Sequence, residues 1–430
     1  MEFISIAEAL QKGKGTVALR GWVYRERGSN EFKFIVLRDS SEIIQCVFKK
    51  DKFSAKAWEE LDKVSIESSM TIEGTLKEDK RAPTGYELQA EKFTVVHRAE
   101  TFPITKDQSQ EFLLDVRHLA IRSRRLTAVM KIRHTVMKAF REYFMKEGYI
   151  EMAPPIFTPN ACEGGSTLFE VKYYKEKMYL TQSWQLYAEA AVFALEKIFC
   201  ISPCFRAEKS KTSRHLSEFW MAEMESTWIG LDQLLTFAEG CISHIVQTVL
   251  KENRKELEIL ERDVKRLEKI KAPFYRKTYA EVLDILKEKE GLTIPFGKDL
   301  RTIEEDLIMK YFDKPLMVTH YPKEIMAFYK RRDPKDPKTA LCFDMLAPEG
   351  YGEIIGGSER DTDVDELKKA LKKEGEKIEN YNWYLDTRRY GSVQHSGFGM
   401  GVERVVNWIC GLDNIKDAIP FPRTMLRWKP

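Results

Sequence analysis

At 430 residues the chain is long enough for two or three domains and a large buried core. Hydrophobic residues make up 43% and charged residues 32%, a globular balance, and no apolar run reaches the roughly 18 residues of a membrane span. The net charge of +3 excludes little, because a nucleic-acid binder needs a basic face and not a basic total. The opening "MEFISIAEALQKGKG" lacks the basic start and apolar run of a secretory signal, so a cytoplasmic protein without membrane contact is expected. Seven cysteines, scattered and odd in number, argue against a disulfide framework, and Cys200 and Cys204 have no second pair to complete a zinc site.

Residues 1–101 read as a small β-barrel. Five β-rich runs, from "TVALRGWVYRER" to "YELQAEKFTVVHRAE", are separated by turn residues, with a helical "SAKAWEELDKV" between the third and fourth. Residues 102–123 are polar, contain a proline and have few apolar periods, which predicts a linker. From 124 onward the pattern changes: "TAVMKIRHTVMKAFREYFMKEG" has helical apolar spacing and stops at Gly148. The rest, to residue 430, alternates strands with helices and has no internal repeat. Residues 251–271 set Leu257, Leu260, Val264 and Leu267 on one face of a single solvated amphipathic helix, and "DELKKALKKEGEKIEN" at 365–380 reads the same way.

Three segments carry chemistry. "GFGMGVERVV" (397–406) has glycine at every second position, one bare face of a strand on which something flat must lie. "CFRAEKSKTSRHLSEFWMAEMESTW" (204–228) reads as two strands joined by a basic loop, with Arg206 and Glu208 together on one, and Phe219, Met221, Glu223 and Glu225 sharing a face of the other. "GEIIGGSER" (352–360) adds Glu353 and Arg360, and "GVER" adds Arg404. An edge hairpin with exposed charges is the plain alternative. Arginines beside an aromatic and carboxylates suit a nucleoside triphosphate: guanidinium forks grip phosphates, Phe219 stacks on a base, Glu353 holds Mg2+, and the glycine face is the floor under the adenine or ribose.

These residues carry a family resemblance. "GYIEMAPP", "FRAE…RHLSEF" and "GFGMGVER" resemble, in order, the three signature motifs of class II aminoacyl-tRNA synthetases. "LLDVRHLAIRS", "EGGSTLF", "TQSWQLYAEA", "FDMLAPEGYGEIIGGSER", "LDTRRYGSVQHSGFG" and "IPFPRT" resemble the aspartyl/asparaginyl subgroup. The resemblance spans nearly the whole chain. It implies an α+β fold with an antiparallel sheet flanked by helices, preceded by an OB-fold barrel that reads the anticodon, and a homodimer joined through residues 126–156. The substrates implied are ATP with Mg2+, an amino acid and its tRNA.

By the same resemblance, Arg206 contacts the α-phosphate and the substrate carboxylate, while Ala207, Glu208, Arg214, His215 and Leu216 line the ATP site. Phe219 stacks on adenine, Arg404 holds the γ-phosphate, Gly401, Val402 and Glu403 complete the pocket, and Glu353 with Asp344 binds Mg2+. Catalysis falls to Arg206, Glu353 and Arg404. Around the amino acid stand Glu163 and Ser166 of a closing loop, Ser183, Gln185, Ala188, Glu223, Gly356 and Arg360, with Arg389 reaching the side-chain oxygen. Phe34, Gln45 and Glu87 are implied readers of the central anticodon base, although periodicity alone makes Phe34 a core residue. Glu359 replaces a usual glutamine and Gln394 a common proline. Ala188 stands where aspartate-specific relatives generally carry lysine, and Glu223 can accept from an amide, which together point to L-asparagine and tRNA(Asn). The alternatives are aspartate, with or without discrimination, an asparagine synthetase-like paralogue, and a catalytically silent nucleic-acid binder.

Overall fold

Alternating apolar and polar residues in the first hundred positions give five strands: β1 (Gly15–Gly28), β2 (Phe32–Arg38), β3 (Ile43–Lys49), β4 (Ser69–Glu78) and β5 (Tyr86–His97). In the computed structural model, which describes residues 2–162, 167–209 and 214–430, they close into a barrel in the order β1-β2-β3-β5-β4. Ile35, Leu37, Ile44, Cys46, Ile72 and Leu88 fill its interior. Two helices accompany it, α1 (Ile6–Lys12), begun by a Ser5–Glu8 capping box, and α2 (Ala55–Asp62), the expected insertion.

The chain divides into two units, Met1–Leu113 and Leu114–Pro430. The stretch 102–123 is therefore not all linker. It forms α3 (Gln110–Asp115) and α4 (Arg117–Ala120), and Leu114, Arg117 and Ala120 are buried. The reason is Arg117, whose guanidinium donates to Asp417 Oδ1 at 2.9 Å and to the Ile419 and Pro420 carbonyls at 3.0 and 2.8 Å. A polar residue that caps backbone carbonyls inside a fold is invisible to hydrophobic periodicity.

In the larger unit α5 (Arg124–Lys146) ends as expected beside Gly148, whose φ is +82°. After it come β6 (Ile150–Glu151), β7 (Phe157–Thr158), β8 (Glu170–Tyr173), β9 (Glu176–Leu180), α6 (Gln185–Leu195), β10 (Lys197–Phe205), β11 (Glu218–Thr227) and α7 (Leu231–Glu252). The 251–271 region is two short helices, α8 (Arg254–Ile259) and α9 (Val264–Glu268), not one. Glu261 between them takes a φ of +56°, and Arg262 turns inward to the Ile409 carbonyl and Glu349. Leu257, Leu260 and Leu267 are nevertheless buried together, so the apolar face was read correctly and its continuity was not.

The chain continues with β12 (Tyr275–Thr278), α10 (Tyr279–Glu290), α11 (Thr302–Ile308), β13 (Leu316–Thr319), β14 (Cys342–Ala347), β15 (Gly352–Glu359), α12 (Val364–Lys373), α13 (Asn382–Arg389), β16 (His395–Gly401) and α14 (Val402–Cys410). Eight strands form one sheet, ordered β12-β13-β14-β15-β16-β11-β10-β6. Its middle is antiparallel, and the two outermost pairs, β12–β13 and β10–β6, are parallel. One face carries Phe343, Ile355, Phe398, Met400, Ala222 and Met224, packed in a single core with α5, α7 and α14. The other face carries the polar residues of the site. Among the described residues no helix is long and apolar enough to cross a membrane.

Candidate functional site

On the polar face, directly paired residues share a side of the sheet. Glu223 of β11 pairs with Gly399 of β16, which pairs with Gly356 of β15, which pairs with Asp344 of β14. The two adjacent glycines leave an open floor between two carboxylates. The period-two glycines thus serve different ends. Gly399 and Gly401 border a cavity of about 90 Å³, but a Cβ at Gly397 would lie 2.0 Å from Glu225 Oε2, so a protein carboxylate and not a ligand covers that glycine.

The same cavity is lined by Arg206, Glu208, Arg214, His215 and Leu216, with Phe219, Glu353, Glu403 and Arg404 completing it, so most of the expected ATP residues converge. Arg206 and Glu208 follow β10 as a loop and are not strand residues, and the Arg206 guanidinium lies 5.4 Å from the Phe219 ring centre. Glu403 is a brace as well as a wall, accepting from the Trp220 N–H at 2.9 Å and pairing with Arg133 at 2.8 Å. Two expected residues are absent from the lining. Ala207 donates its N–H to the Thr167 carbonyl at 2.7 Å, and Val402 is buried in the apolar core because its side chain points to the opposite face from Gly401.

A second cavity of about 280 Å³ adjoins the first, sharing Arg214, His215, Glu353, Arg404 and Ile415 and adding Asp299, Glu305 and Asp344. Glu353 Oε1 and Asp344 Oδ1 flank one spot, 3.1 and 3.4 Å from where a Cβ at Gly356 would stand. Burial would raise Glu353, but Arg404, bonded at 2.9 Å, holds it below the usual carboxylate range. Burial and the Glu353 charge push Asp344 up to about 7, and burial with the same neighbours pushes Glu305 up to about 8. Burial also lowers His215, helped by Arg404. Burial and mutual repulsion thus keep two of the three carboxylates of this corner raised. Among the described residues no group of three or more acidic, His or Cys side chains forms a metal cage. The two carboxylates that flank one spot, Glu353 and Asp344, are a donor set that fits an ion shared with substrate phosphates, as Mg2+ is.

Beyond Glu223 the face becomes a buried charge network. Arg360 grips Glu225 with two hydrogen bonds of 2.9 and 2.8 Å and donates to Ser358 Oγ at 2.9 Å. Glu189 of α6, fully buried, accepts from Gln185 Nε2 and Tyr384 OH, both at 2.8 Å, and pairs with Arg388. Ser183 Oγ donates to Glu223 Oε1 at 2.5 Å, and the Trp184 N–H donates to Oε2 at 3.2 Å, so each oxygen of Glu223 is held by one bond. Ala188 packs in an apolar cluster with Trp184, Val192, Ile198 and Cys200, and Ile198 and Cys200 pair across the strands with Glu225 and Glu223. The alanine thus sits one strand away from the two carboxylates.

On the barrel, Phe34 is half-buried on the outer face, with Arg27 over its ring at 5.0 Å and Phe32 stacked beside it. Gln45 donates to Glu87 at 3.3 Å, and Gln89 donates to the other Glu87 oxygen at 2.6 Å. Phe34 belongs to no core cluster among the described residues, which overturns the reading from periodicity alone.

The chain matches the family of class II tRNA synthetases (D, K and N) over residues 109–425 and the OB-fold nucleic acid binding domain over 17–96. The chain belongs to the class II tRNA synthetases. An asparagine–tRNA ligase of Thermococcus kodakarensis is 51% identical to this synthetase over 415 residues, 96% of both chains, and one of Thermoplasma acidophilum is 47% identical over 429 residues, 99% of this chain and all of that one. The crystal structure of asparaginyl-tRNA synthetase from Pyrococcus horikoshii complexed with asparaginyl-adenylate superposes with a TM-score of 0.97 at 44% identity, covering both chains fully.

In this synthetase the residues expected around the amino acid divide. Ser183, Gln185, Glu223, Gly356 and Arg360 gather on or beside the polar face. Glu163 and Ser166 lie outside the described residues. Arg389 does not join them: its guanidinium bonds Asp386 at the surface, because α13 buries Tyr384, Leu385 and Arg388 at helical spacing and turns the next residue outward. Glu189, Glu225 and Arg388 carry the network that the sequence reading left without a role. The signal for Glu189 was present, a lone carboxylate within the apolar run "QLYAEAAVFAL". The departures Glu359 and Gln394 meet each other, Gln394 Nε2 donating to Glu359 Oε1 at 3.0 Å while Arg331 pairs with the same carboxylate, so each supplies a partner for the other.

The glycines predict contrasting variants. Gly397→Ala sets a methyl 2.4 Å from the Met224 backbone carbonyl as well as against Glu225, and is expected to lower unfolding stability by about 3 kcal/mol. Gly399→Ala meets the movable end of Met221 at 2.6 Å, so it is expected to stay within about 1 kcal/mol of the parent yet bind ATP more weakly. Thermal unfolding and nucleotide titration of both variants test the pair, and equal stabilities would refute the distinction.

Proposed function

We infer that the protein joins L-asparagine to tRNA(Asn). The asparagine carboxylate attacks the α-phosphorus of ATP, forming asparaginyl-adenylate and releasing pyrophosphate. The 3′-terminal hydroxyl of the tRNA then attacks the carbonyl carbon, releasing AMP. No protein nucleophile is required, since positioning and charge neutralisation suffice. Arg206 holds the α-phosphate and the attacking carboxylate together, Phe219 stacks on adenine, and Arg404 takes the γ-phosphate. Glu353 and Asp344 would hold Mg2+, which when bound offsets phosphate charge.

The observation that carries the substrate is Glu223 at the edge of the glycine floor, paired with Gly399, taken with the activity shared by the relatives. It is a buried acceptor, whereas the Arg360–Glu225 pair beyond it is closed on itself by two hydrogen bonds. A carboxamide has an N–H to donate to Glu223, whereas a second carboxylate would face its charge. Each Glu223 oxygen accepts one bond, from Ser183 and from the Trp184 N–H, and keeps a lone pair for that amide. Ala188 adds no cation to tilt the balance. The barrel's anticodon-type face favours a tRNA ligase over an asparagine synthetase-like enzyme.

Pyrophosphate exchange with each amino acid tests this reading: asparagine should support it and aspartate should not, and equal exchange with both would sink the assignment. Glu223→Gln removes the charge that opposes a second carboxylate and should shift the asparagine-to-aspartate ratio toward aspartate by about tenfold, a difference of about 1.4 kcal/mol. An unchanged ratio would remove Glu223 from the substrate pocket.

On the barrel, Phe34→Ala should weaken tRNA charging by about 1 to 3 kcal/mol, the worth of one stacked base, and leave tRNA-independent exchange intact. Loss of both would mean a folding role for Phe34.

The protein acts as a homodimer through the region of residues 126–156. The apolar face of α5 is spent on the chain's own core, so exposed Met145, Ile150, Ile156 and the neighbouring Phe157 support the contact. Sedimentation at micromolar concentration should report a dimer, and a monomer would contradict it.

A further inference from the structure

We propose that Asp306 is a positioning residue for Arg214, holding its guanidinium in the wall of the nucleotide cavity before ATP arrives. The proposal rests on the reading of Arg214 as a phosphate-binding arginine. Arg214 lines both adjoining cavities, at the junction where a triphosphate would pass from one to the other. Its Nη2 donates to both oxygens of Asp306, at 2.9 and 3.1 Å, and to the Gly350 carbonyl at 2.5 Å. The backbone that presents this carbonyl turns through three left-handed positions within four residues, Glu349, Gly350 and Gly352 having φ of +67°, +80° and +69°. At Gly352 a Cβ would stand 3.1 Å from Arg214 Nη1 and 2.8 Å from Glu305 Oε2, so the guanidinium lies against bare backbone.

Asp306 itself lines neither cavity, and its side chain is 41% exposed. It acts on ATP only through the arginine. The helix that carries it, α11, is fixed at its start by Glu304, which accepts from the Arg301 N–H at 2.9 Å and is buried. A long arginine has many rotamers, and a nucleotide that must gather it from solvent loses part of its binding energy to that ordering.

The sign of the effect is diagnostic. A carboxylate close to incoming phosphates is repulsive, so an electrostatic role alone predicts that its removal tightens ATP. Positioning predicts the reverse. In pyrophosphate exchange, Asp306→Ala should raise the KM for ATP about three- to tenfold, the cost of ordering one such side chain, while kcat and the KM for asparagine stay within about twofold. Asp306→Glu, which keeps the carboxylate, should recover most of the loss, and the melting temperature of each variant should match the parent. In an Arg214→Ala background, Asp306→Ala should add nothing further. An unchanged or lowered KM for ATP in Asp306→Ala, or additive effects in the double variant, overturns the proposal while leaving Arg214's role standing. An Arg214→Ala variant with unchanged KM for ATP overturns that role and the proposal with it.

Discussion

The site depends on a strand that must be apolar on one face and nearly featureless on the other. β16 meets this demand with Phe398 and Met400 turned into the core and Gly397, Gly399 and Gly401 turned away from it. Because β16 is central, between β15 and β11, its hydrogen bonds to both neighbours compensate for the conformational freedom that glycine loses on folding. The core on one side holds the strand flat enough for an open trough on the other. Any side chain larger than hydrogen at Gly399 would narrow the floor between Glu223 and Gly356.

Around that floor, charge is distributed by the order of the strands. On the β11 side each buried carboxylate has its own donors: Glu223 has Ser183, Glu225 has Arg360, and Glu189 has Arg388 and Tyr384. Such pairs contribute little net stability, because desolvation offsets most of the attraction, but they hold donors and acceptors at defined positions. On the β14 side the balance is different. Asp344, Glu353 and Glu305 crowd one another and are opposed by Arg404, Arg206, Arg214 and Lys330, and the crowding still leaves Asp344 and Glu305 raised.

Much of this was legible in the sequence where a residue's role follows from periodicity or from an ordered motif. The barrel, the α5 helix and the convergence of Arg206, Phe219, Glu353 and Arg404 all follow from such signals. What could not be read was the function of polar residues whose partners are remote in sequence. Arg117 looked like part of a linker because its partners lie some 300 positions away. Arg388 and Arg389 were confused because adjacent arginines differ only in helical phase. The phase of Tyr381, Tyr384 and Leu385 already assigns the first to the inside. The broken helix at 251–271 kept its apolar phase across the break, which is why periodicity survived and continuity failed.

The order of the eight strands also governs what the sheet shows to other chains. Its two rims are β6 and β12, of two and four residues, and each is joined to the sheet by parallel pairing. The barrel has no rim at all, since it closes on itself. Long, flat, unpaired strands are templates onto which a foreign strand can add, and the route to fibrillar aggregates begins there. With β11, the longest of the eight, paired on both sides and the rims cut to short stubs, such growth would have to start on β10 beyond Phe199, where β6 no longer covers it.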